Sequence, residues 1–444
     1  MTAPTTYFAE HAWLPTGCTT GVRFTVQGGT FASVEPRAHA RPGDLRLRGV
    51  VLPGLANTHS HAFHRALRGR TQGGSGNFWT WREQMYAVAS RLTPDCYLAL
   101  ARATYGEMAL AGITAVGEFH YLHHRPDGRP YADPNAMGDA LVQAAADAGI
   151  RLTLLDTCYL AGGLRGDGHV PLDETQRRYS DGTVDAWAAR ISVRSTAAHV
   201  RLGAAVHSIR AVPRDDLVRL ADAVEGMPLH AHVSEQPAEN MACEAFYGCS
   251  PTRLLEDTGV LRPDFTAVHA THLSDDDIAL LGSRDAQASF CPTTERDLAD
   301  GIGRARDLAD AGVSLSLGSD QHAVIDPFEE LRGLEMHERL STNERGRFRL
   351  AELMRAATAN GYRSLGWFGG GVIAPGALAD FVVVRDDTVR TMGSRASQIA
   401  YAATAVDVDT VVVGGKVVVD HGDHVQLGPV APLLRNAFDA LRVE

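Results

Sequence analysis

Residues 50–61 read Val-Val-Leu-Pro-Gly-Leu-Ala-Asn-Thr-His-Ser-His, a short apolar run that ends in two histidines. A run of this length, broken by Pro-Gly, is typical of a buried strand. Residues two apart in an extended segment point the same way, so His59 and His61 can bind one ion from the same side. An isolated His-x-His pair is often incidental, so its meaning depends on the rest of the chain.

Seven further apolar runs follow, and helical patterns such as 98–111, 135–149 and 214–226 intervene between them. The runs cover residues 114–119, 151–157, 200–206, 228–233, 266–269, 286–291 and 313–319. Eight buried strands that alternate with helices predict an α/β fold of the (β/α)8 TIM-type barrel class. A doubly wound open sheet is the structural alternative.

Polar side chains stand at the C-terminal end of nearly every run, and this regularity favours the barrel. They are His59, His61, His120, Tyr121, His207, Arg210, His232, Glu235, His269, Thr293, Thr294 and Asp320. A barrel gathers the C-terminal ends of all its strands around one mouth. An open sheet would spread the same residues along a line, with a pocket only at its switch point.

Both ends of the chain have strand patterns that are too short to form a core of their own. Near the start, residues 21–34 have this strand pattern. Near the end, residues 379–385 and 410–420 have it, and Gly414-Gly415 within the last stretch is a hairpin signal. We expect the two ends to pair into one small β-domain. The predicted organisation is therefore residues 1–50 and 371–444, with a terminal helix, in the small domain, and residues 51–370 in the barrel.

The composition excludes several classes of function. The 444 residues carry a formal net charge of -11, which argues against a nucleic-acid-binding surface. No basic, apolar leader precedes Trp13, and no apolar run approaches the ~20 residues of a membrane span. The six cysteines form no C-x-x-C pair, so reduced thiols are expected. We therefore expect a cytoplasmic protein with neither a nucleic acid nor a membrane as partner.

The histidine pair has further candidate metal ligands in His232, after the fifth run, and Asp320, after the eighth. Three histidines and one aspartate suit a divalent, zinc-like ion that keeps an open position for water. His232 is preferred to His230 because Glu235 follows it at the predicted barrel mouth. His230 is instead expected to be a histidine of the barrel interior.

Three further histidines and one cysteine are expected to take no part in metal binding or catalysis. His123 and His124 are expected to be surface histidines, and His272 to lie in a loop or helix cap. Cys291 is not expected to be a nucleophile, because it ends an apolar strand with no evident activating group.

The order of these motifs resembles the deaminase branch of the amidohydrolase superfamily, over nearly the whole chain. The motifs are Pro-Gly-Leu-x-Asn-x-His-x-His, then His-x-x-Glu, a single His, Gly-Ser-Asp, and the ending Pro375-Gly-Ala-Leu-Ala-Asp-Phe381. The resemblance implies a barrel with a small composite β-sandwich domain. It also implies that His59, His61, His232 and Asp320 are metal ligands and that Glu235, His269 and Asp320 are catalytic.

One zinc ion per chain is expected. Two-metal members of this superfamily commonly bridge their ions with a carboxylated lysine on a barrel strand, and this chain has no lysine before Lys416. Zinc lowers the pKa of bound water to about 7, which supplies a hydroxide nucleophile. Asp320 would accept the water's proton, His269 would orient the nucleophile, and Glu235 would protonate the imine nitrogen and then the leaving amine.

Longer segments resemble the formimidoylglutamate deiminase subfamily. They are His59-Ser-His-Ala-Phe-His-Arg-Ala-Leu-Arg, Asn77-Phe-Trp-Thr-Trp-Arg-Glu, Glu118-Phe-His-Tyr-Leu-His-His, Val206-His-Ser-Ile-Arg-Ala-Val and Cys291-Pro-Thr-Thr-Glu-Arg. The resemblance implies hydrolysis of N-formimidoyl-L-glutamate to N-formyl-L-glutamate and ammonia, a step of histidine degradation.

Such a substrate has two carboxylates, which arginine grips in bidentate fashion. Arg82 and Arg210 are the candidates. The alternative for Arg82 is a surface ion pair with Glu83 or another acid, and that for Arg210 is a surface arginine at the start of a helix. Tyr121 and His207 are expected hydrogen-bond donors to the substrate. His64 stands where many members of the subfamily have glutamine, and it is a possible further contact whose charge would depend on pH.

Three alternatives to this function remain open. A deaminase of guanine or a related heterocycle would share the metal and catalytic residues and differ in its pocket. A hydrolase of amide or ester bonds, or a two-metal enzyme, is disfavoured by the missing lysine and by the Glu235 motif. A non-catalytic binding protein is disfavoured because every ligand is intact. A homodimer is expected by analogy with the family.

Overall fold

The structure is a computed structural model that describes residues 3–73, 78–193 and 197–441. Asn77, which begins one of the motifs above, lies outside these ranges. The chain opens with four strands, β1 (Thr5–Leu14), β2 (Gly17–Gln27), β3 (Thr30–Pro36) and β4 (Leu45–Pro53). Strand β1 pairs with β2 in antiparallel fashion and with β4 in parallel fashion, so the N-terminal segment forms one half of a sheet.

The barrel strands come next, and neighbouring strands are parallel throughout. They are β5 (Leu55–Ser60), β6 (Ile113–His120), β7 (Arg151–Cys158), β10 (Val200–Val206), β11 (Leu229–Val233), β12 (Phe265–His269), β13 (Gln287–Phe290) and β14 (Ser314–Leu317), with the hairpin β8 (Gly163–Arg165) and β9 (Gly168–Val170) after β7. Each of the eight apolar runs overlaps one of the eight barrel strands.

The C-terminal segment completes the small sheet. Its strands are β15 (Phe381–Val384), β16 (Val408–Val413), β17 (Lys416–Asp420) and β18 (Asp423–His424). Strand β15 pairs with β4 in antiparallel fashion, which joins the two ends of the chain in the order β18-β17-β16-β15-β4-β1-β2-β3. Gly414 and Gly415 both have positive φ, 56° and 75°, as the predicted two-residue hairpin requires.

Helices cover the outside of the barrel. They are α1 (Phe78–Ala89), α2 (Pro94–Leu110), α3 (Ala136–Ala148), α4 (Val184–Ser192), α5 (Arg214–Ala223), α6 (Pro237–Tyr247), α7 (Pro251–Asp257), α8 (Asp275–Ser283), α9 (Pro292–Asp297), α10 (Ala305–Asp310), α11 (Pro327–Thr342), α12 (Leu350–Ala357), α13 (Ala359–Ser364), α14 (Ile399–Ala402) and α15 (Val430–Leu441). Short 3-10 helices occupy Ala62–Leu67, Gln176–Tyr179, Ala396–Gln398 and Ala405–Asp407.

The run 50–57 is divided between the two sheets. Strand β4 of the small sheet ends at Pro53, and barrel strand β5 begins at Leu55. Gly54 lies between them, where an added Cβ would be 2.4 Å from the Thr114 hydroxyl and 2.8 Å from that of Tyr362. Only glycine lets the chain cross here, because the backbone runs directly against both side chains.

A buried ion pair fastens the two parts together near the same crossing. Arg151, at the start of β7, donates from Nε and a terminal nitrogen to the two oxygens of Asp380, at 2.6 and 3.0 Å. Asp380 also accepts from the Tyr362 hydroxyl at 2.7 Å and from the backbone N–H of Gly414 at 2.6 Å. Because the carboxylate is fully buried, its stability depends on keeping these donors.

The predicted fold class, a (β/α)8 barrel with a composite β-domain made from both ends of the chain, is confirmed. The domain boundaries stay predictions. Among the described residues, no helix has both the length and the apolar character needed to cross a bilayer. A cytoplasmic location, the homodimer and the absence of a nucleic-acid partner also stay predictions.

The Arg151–Asp380 pair generates a stability prediction. We expect Arg151→Met to lower the free energy of unfolding by about 3–5 kcal/mol, because it leaves the Asp380 carboxylate buried without its cation. Urea denaturation followed by circular dichroism measures the change. Arg385→Met is the matched control, since Arg385 pairs with Asp387 at the exposed surface, where solvent screening leaves such a pair little effect on stability. Equal midpoints for the two variants would contradict the role of the buried pair.

Candidate metal centre and barrel mouth

The predicted metal ligands meet at the C-terminal mouth of the barrel. His59 and His61 stand at the end of β5, His232 lies on β11, and Asp320 follows β14. Their ligand atoms fall into overlapping groups whose members lie within 4.8 Å of one another, and all four residues are buried. The structure therefore brings together residues that are up to 261 positions apart in the chain, from His59 to Asp320.

The spacing of these atoms fits one tetrahedral ion. Two ligands, each about 2.0–2.1 Å from a tetrahedral zinc, should lie about 3.3 Å from one another. His59 Nε2 lies 3.1 Å from His232 Nε2 and 3.5 Å from Asp320 Oδ1. His61 Nε2 also lies 3.5 Å from Asp320 Oδ1. The donor set is that of a divalent transition metal, with nitrogen atoms on one side and a carboxylate on the other.

Two of the histidines are held in the tautomer that a metal needs. His61 donates from Nδ1 to the carbonyl of Phe119, and His232 donates from Nδ1 to the carbonyl of His207, both at 2.9 Å. In the neutral ring this leaves the Nε2 lone pair directed at the common centre. Burial, together with the neighbouring histidines, lowers the pKa of His61 to about 3 and that of His232 well below its ordinary value, so both rings are neutral.

The Gly-Ser-Asp turn places Asp320 directly against the first strand. The backbone N–H groups of Ser319 and Asp320 donate to the His59 carbonyl at 3.1 and 2.9 Å, and the N–H of His61 donates to the Asp320 carbonyl at 3.2 Å. An added Cβ at Gly318 would be 2.7 Å from the His59 Cβ and 2.8 Å from the Cys291 sulfur. Glycine is required there because the two strands are in backbone contact.

The candidate catalytic residues lie beside this centre. His269 Nε2 is 3.7 Å from Glu235 Oε1 and 3.8 Å from Asp320 Oδ2. On the other side of the ring, His269 Nδ1 is 3.7 Å from Glu295 Oε1. Burial disfavours a charge on this imidazole, but the three carboxylates outweigh burial and raise the pKa of His269 to about 10. In the metal-free protein the ring is therefore an imidazolium.

Glu295 is a residue that the sequence analysis missed as a partner of His269. It lies in α9, is buried, and accepts a hydrogen bond from the N–H of Cys291 at 2.8 Å, which directs it towards the imidazole. It stands inside the Cys-Pro-Thr-Thr-Glu-Arg motif quoted above. The sequence could have marked it only through its place immediately after a barrel strand.

Glu118 is a second carboxylate whose role was not apparent from the sequence, and it forms hydrogen bonds with the residues on either side of His61. It accepts from the Ser60 hydroxyl at 2.7 Å and from the Ala62 N–H at 2.6 Å, so it holds the backbone on both sides of His61. Burial raises its pKa to about 7, although the hydrogen bonds that it accepts oppose the shift. Glu118 lies in a motif that the sequence analysis quoted, but nothing in the pattern showed which way it points.

Arg210 lies against two acids at the mouth. One terminal nitrogen donates to Glu235 Oε2 at 3.3 Å, and its Nε is 3.5 Å from Glu239 Oε2. Glu239, a further residue missed in the sequence, is buried one helical turn beyond Glu235. Burial raises the pKa of Glu239 to about 7, against the lowering effect of Arg210. The guanidinium is therefore fixed beside the candidate proton donor.

Arg82 differs from Arg210 in its neighbours. Within the described ranges, no acidic side chain lies within 4 Å of it, so the expected alternative of an ion pair with Glu83 is not observed. Its guanidinium instead lies over the ring of Trp79, 4.7 Å from the centroid, and over that of Tyr86 at 5.5 Å. Stacking of this kind leaves the N–H edge available for a carboxylate.

A cavity opens from the candidate metal centre towards helix α1. All five predicted substrate-binding residues line it, together with further aromatic side chains. The lining includes His64, Trp81, Arg82, Tyr86, Tyr121, Tyr159, Tyr179, His207 and Arg210. A second cavity lies alongside, and Arg82, Tyr159, His207 and Arg210 line both.

His64 and Tyr121 form a hydrogen-bonded pair beside the centre. His64 Nε2 lies 3.1 Å from the Tyr121 hydroxyl, and the His64 ring centroid is 4.5 Å from that of His61. Burial and the neighbouring His61 hold the pKa of His64 well below its ordinary value. A lowered pKa favours the neutral ring, and the contact of His64 with the substrate stays a prediction.

The remaining histidines divide between confirmed and wrong predictions. His230 is buried within the barrel and donates to the Ser364 carbonyl at 3.1 Å, as expected of an interior histidine. His123 and His124 were expected at the surface, and this is wrong. Both are buried, and they lie beside Asp156 and Asp181, at 3.8 and 3.2 Å, in a cluster centred on Arg190. Burial also raises the pKa of Cys291, which agrees with its dismissal as a nucleophile.

Comparisons with known proteins give a matching family and a similar relative. Residues 50–418 match the model of the amidohydrolase family. A formimidoylglutamate deiminase of Pseudomonas aeruginosa is 40% identical over 392 residues, which is 85% of this chain and 85% of that protein.

Solved structures share the fold. The crystal structure of an amidohydrolase from Brucella melitensis has a TM-score of 0.91 and 34% identity, with 99% of this chain and 100% of that chain covered. An adenosine deaminase from Xanthomonas campestris, solved with bound zinc, has a TM-score of 0.82 and 23% identity, with 99% of both chains covered. At that identity the second comparison shows the fold alone.

The raised pKa of His269 generates a prediction for the metal-free protein. Because that pKa, about 10, exceeds the ordinary value of about 6.5, protonated His269 stabilises the fold fully below about pH 6.5. This stabilisation is lost as the pH rises towards 10. We expect Glu295→Gln to move the loss to lower pH, since it removes one of the carboxylates that raise the pKa.

The measurement is the urea midpoint of chelator-treated protein between pH 6 and 10. Glu344→Gln, an exposed acid on the surface, is the control and should follow the wild-type profile. Parallel profiles for wild type and Glu295→Gln would show that Glu295 does not act on His269.

Proposed function

The chain belongs to the amidohydrolase family, and from this premise and the geometry of its barrel mouth we propose that it is the hydrolase of N-formimidoyl-L-glutamate. The products are N-formyl-L-glutamate and ammonia, and the reaction belongs to histidine degradation. The observation that carries the proposal is the cavity beside the candidate metal centre, where Arg82, His207 and Arg210 face the same space as Glu235 and His269. The 40% identical deiminase relative supports the same substrate.

We propose one zinc ion per chain, held by His59, His61, His232 and Asp320. The Nε2 and carboxylate spacings described above fit a single tetrahedral ion. Zinc in such a site lowers the pKa of a bound water to about 7. A second ion has no bridging lysine available, because the only lysine of the sequence, Lys416, lies on β17 of the small sheet.

The protein side chains supply the proton transfers. Asp320 Oδ2, directed at His269, accepts the proton of the attacking water. Glu235 protonates the formimidoyl nitrogen and then carries a proton to the departing amine. Arg210 lies 3.3 Å from Glu235 and orients the carboxyl group for this role. His269 stands between Glu235 and Asp320, where it orients the attacking water.

The two arginines account for the specificity. N-formimidoyl-L-glutamate carries two carboxylates and no ring, and guanidinium groups bind carboxylates with two parallel hydrogen bonds. Arg82, stacked on Trp79 and Tyr86, has its donor edge available, and His207 lies in both cavities beside it. Tyr121 and His64 contribute neutral hydrogen-bonding groups near the reacting carbon.

A second candidate is the deamination of guanine or a related heterocycle by the same centre. The aromatic rings of Trp81, Tyr86, Tyr121, Tyr159 and Tyr179 around the cavity are surfaces on which a flat base would stack. This candidate leaves the two arginines without a purpose, because guanine has no carboxylate. We therefore rank it second and use guanine as the parallel substrate.

The proposal is tested by measuring ammonia release from N-formimidoyl-L-glutamate and from guanine, with purified protein whose zinc content has been determined. We expect turnover of the first substrate, about one zinc per chain, and loss of activity when a chelator removes the metal. Activity on guanine alone would retain the metal centre and the role of Glu235 but overturn the proposed substrate.

The role of Glu235 is tested by Glu235→Gln, which keeps the shape of the side chain and removes its proton transfer. We expect kcat to fall about 10²–10⁴-fold while zinc content stays at the wild-type level, because Glu235 is not a ligand. Glu225→Gln, on an exposed stretch after α5, is the control. An unchanged kcat in Glu235→Gln would remove Glu235 from the reaction.

A further inference from the structure

A glutamine behind the cavity, Gln176, organises two tyrosines at its wall. Gln176 is 2% exposed and lies in the 3-10 helix Gln176–Tyr179. Its Nε2 lies 3.0 Å from each of three acceptors, the hydroxyl oxygens of Tyr86 and Tyr159 and the carbonyl of Gly162, and shares its two protons among them. None of these residues was assigned a role from the sequence.

The orientation of the amide is fixed by the backbone. Gln176 Oε1 accepts from the N–H of Asp173 at 3.0 Å, and Asp173 accepts in return from the N–H of Gln176 at 2.7 Å. Since a backbone N–H can only donate, the oxygen of the amide must face Asp173 and the NH₂ group must face the tyrosines.

The short helix that carries Gln176 is itself anchored. Arg178 is fully buried and donates to the carbonyls of Leu92 and His124, both at 3.0 Å, and to that of Ala89 at the end of α1. Helix α1 carries Arg82 and Tyr86. Arg178 therefore connects the short helix of Gln176 to helix α1, which carries Arg82, the candidate carboxylate-binding arginine.

The direction of these hydrogen bonds determines whether the tyrosine hydroxyls can donate a proton to a ligand. Each hydroxyl that accepts from Gln176 uses an oxygen lone pair and keeps its own proton. The two hydroxyls also interact with one another, and that bond uses at most one of their two protons. At least one O–H is left to donate elsewhere. Tyr86 and Tyr159 both line the first cavity, and of the two only Tyr159 also lines the second, together with Arg82, His207 and Arg210.

We propose that Tyr159 is a substrate-binding residue that donates its hydroxyl proton to a carboxylate of the substrate, and that Gln176 is the positioning residue that turns this proton towards the cavity. The proposal rests on the proposed function for the identity of the substrate. The chemical class of the ligand group, a carboxylate, follows from the cations around Tyr159. The His207 ring, 4.5 Å from that of Tyr159, and the two arginines complete the subsite.

The test combines Tyr159→Phe, Gln176→Glu and the double variant. We expect Tyr159→Phe to raise KM about tenfold with kcat within about twofold, because a lost hydrogen bond to a charged group weakens binding. Gln176→Glu replaces the donor with an acceptor of the same shape, so the tyrosine protons turn towards it and KM rises by a similar factor. In the Tyr159→Phe background, Gln176→Glu should have little further effect on KM.

Two control variants make the same chemical changes elsewhere. Gln27→Glu lies at the exposed end of β2, and Tyr401→Phe lies on α14, and neither lines the two cavities. Both should keep the wild-type KM. Thermal denaturation of every variant checks that the fold is retained, since loss of stability alone does not produce a change in KM at constant kcat.

The outcomes distinguish a failure of the proposed function from a failure of the proposed roles of Tyr159 and Gln176. If wild type releases no ammonia from N-formimidoyl-L-glutamate, the proposed function has failed. Calorimetric titration with glutarate, a simple dicarboxylate, then tests the subsite by itself, and Tyr159→Phe should weaken binding about tenfold. If wild type is active but Tyr159→Phe leaves KM unchanged, the role of Tyr159 is overturned. If Gln176→Glu raises KM equally in both backgrounds, Gln176 does not act through Tyr159.

Discussion

The hydrogen bonds between His59 and the Ser319-Asp320 turn are the constraint on which the barrel mouth depends. The His59 carbonyl accepts two backbone N–H groups from this turn, and a bridge between Ser60 and Asp320 joins the first barrel strand to the last. The same residues that close the barrel thus carry three of the four proposed metal ligands. Closure and ligand geometry cannot be varied separately, because a shift of either strand would move His59, His61 and Asp320 together.

Burial of so many ionisable groups at one place is costly, and the structure offsets the cost by pairing them. Two of the histidines at the centre, His61 and His232, remain neutral and donate to carbonyls. Acids are placed against cations or backbone donors, as Glu235 is against Arg210 and Glu295 against the Cys291 N–H. The remaining nitrogen and oxygen atoms face the centre of the site and form a donor set that suits a divalent cation.

Backbone strain is concentrated at the same place. Ser234, His269, Ala270 and Asp320 all have positive φ, between 41° and 67°, although none is glycine. Such conformations cost of order 1–3 kcal/mol each and persist only where the surroundings hold them. Here they bend the chain sharply as it leaves β11, β12 and β14, so that side chains at the ends of three different strands turn inwards over one point.

The sequence by itself determined the order of eight strands, the pairing of the chain ends and the identity of the residues at the strand ends, because strand patterns and motif spacing are local properties. It could not determine which of those residues meet, or which buried partners direct them. Glu118, Glu295 and Gln176 look ordinary in the sequence, and His123 and His124 look exposed. Only the tertiary structure decided their roles, because burial, hydrogen-bond direction and pKa depend on neighbours that are dozens to hundreds of residues away along the chain.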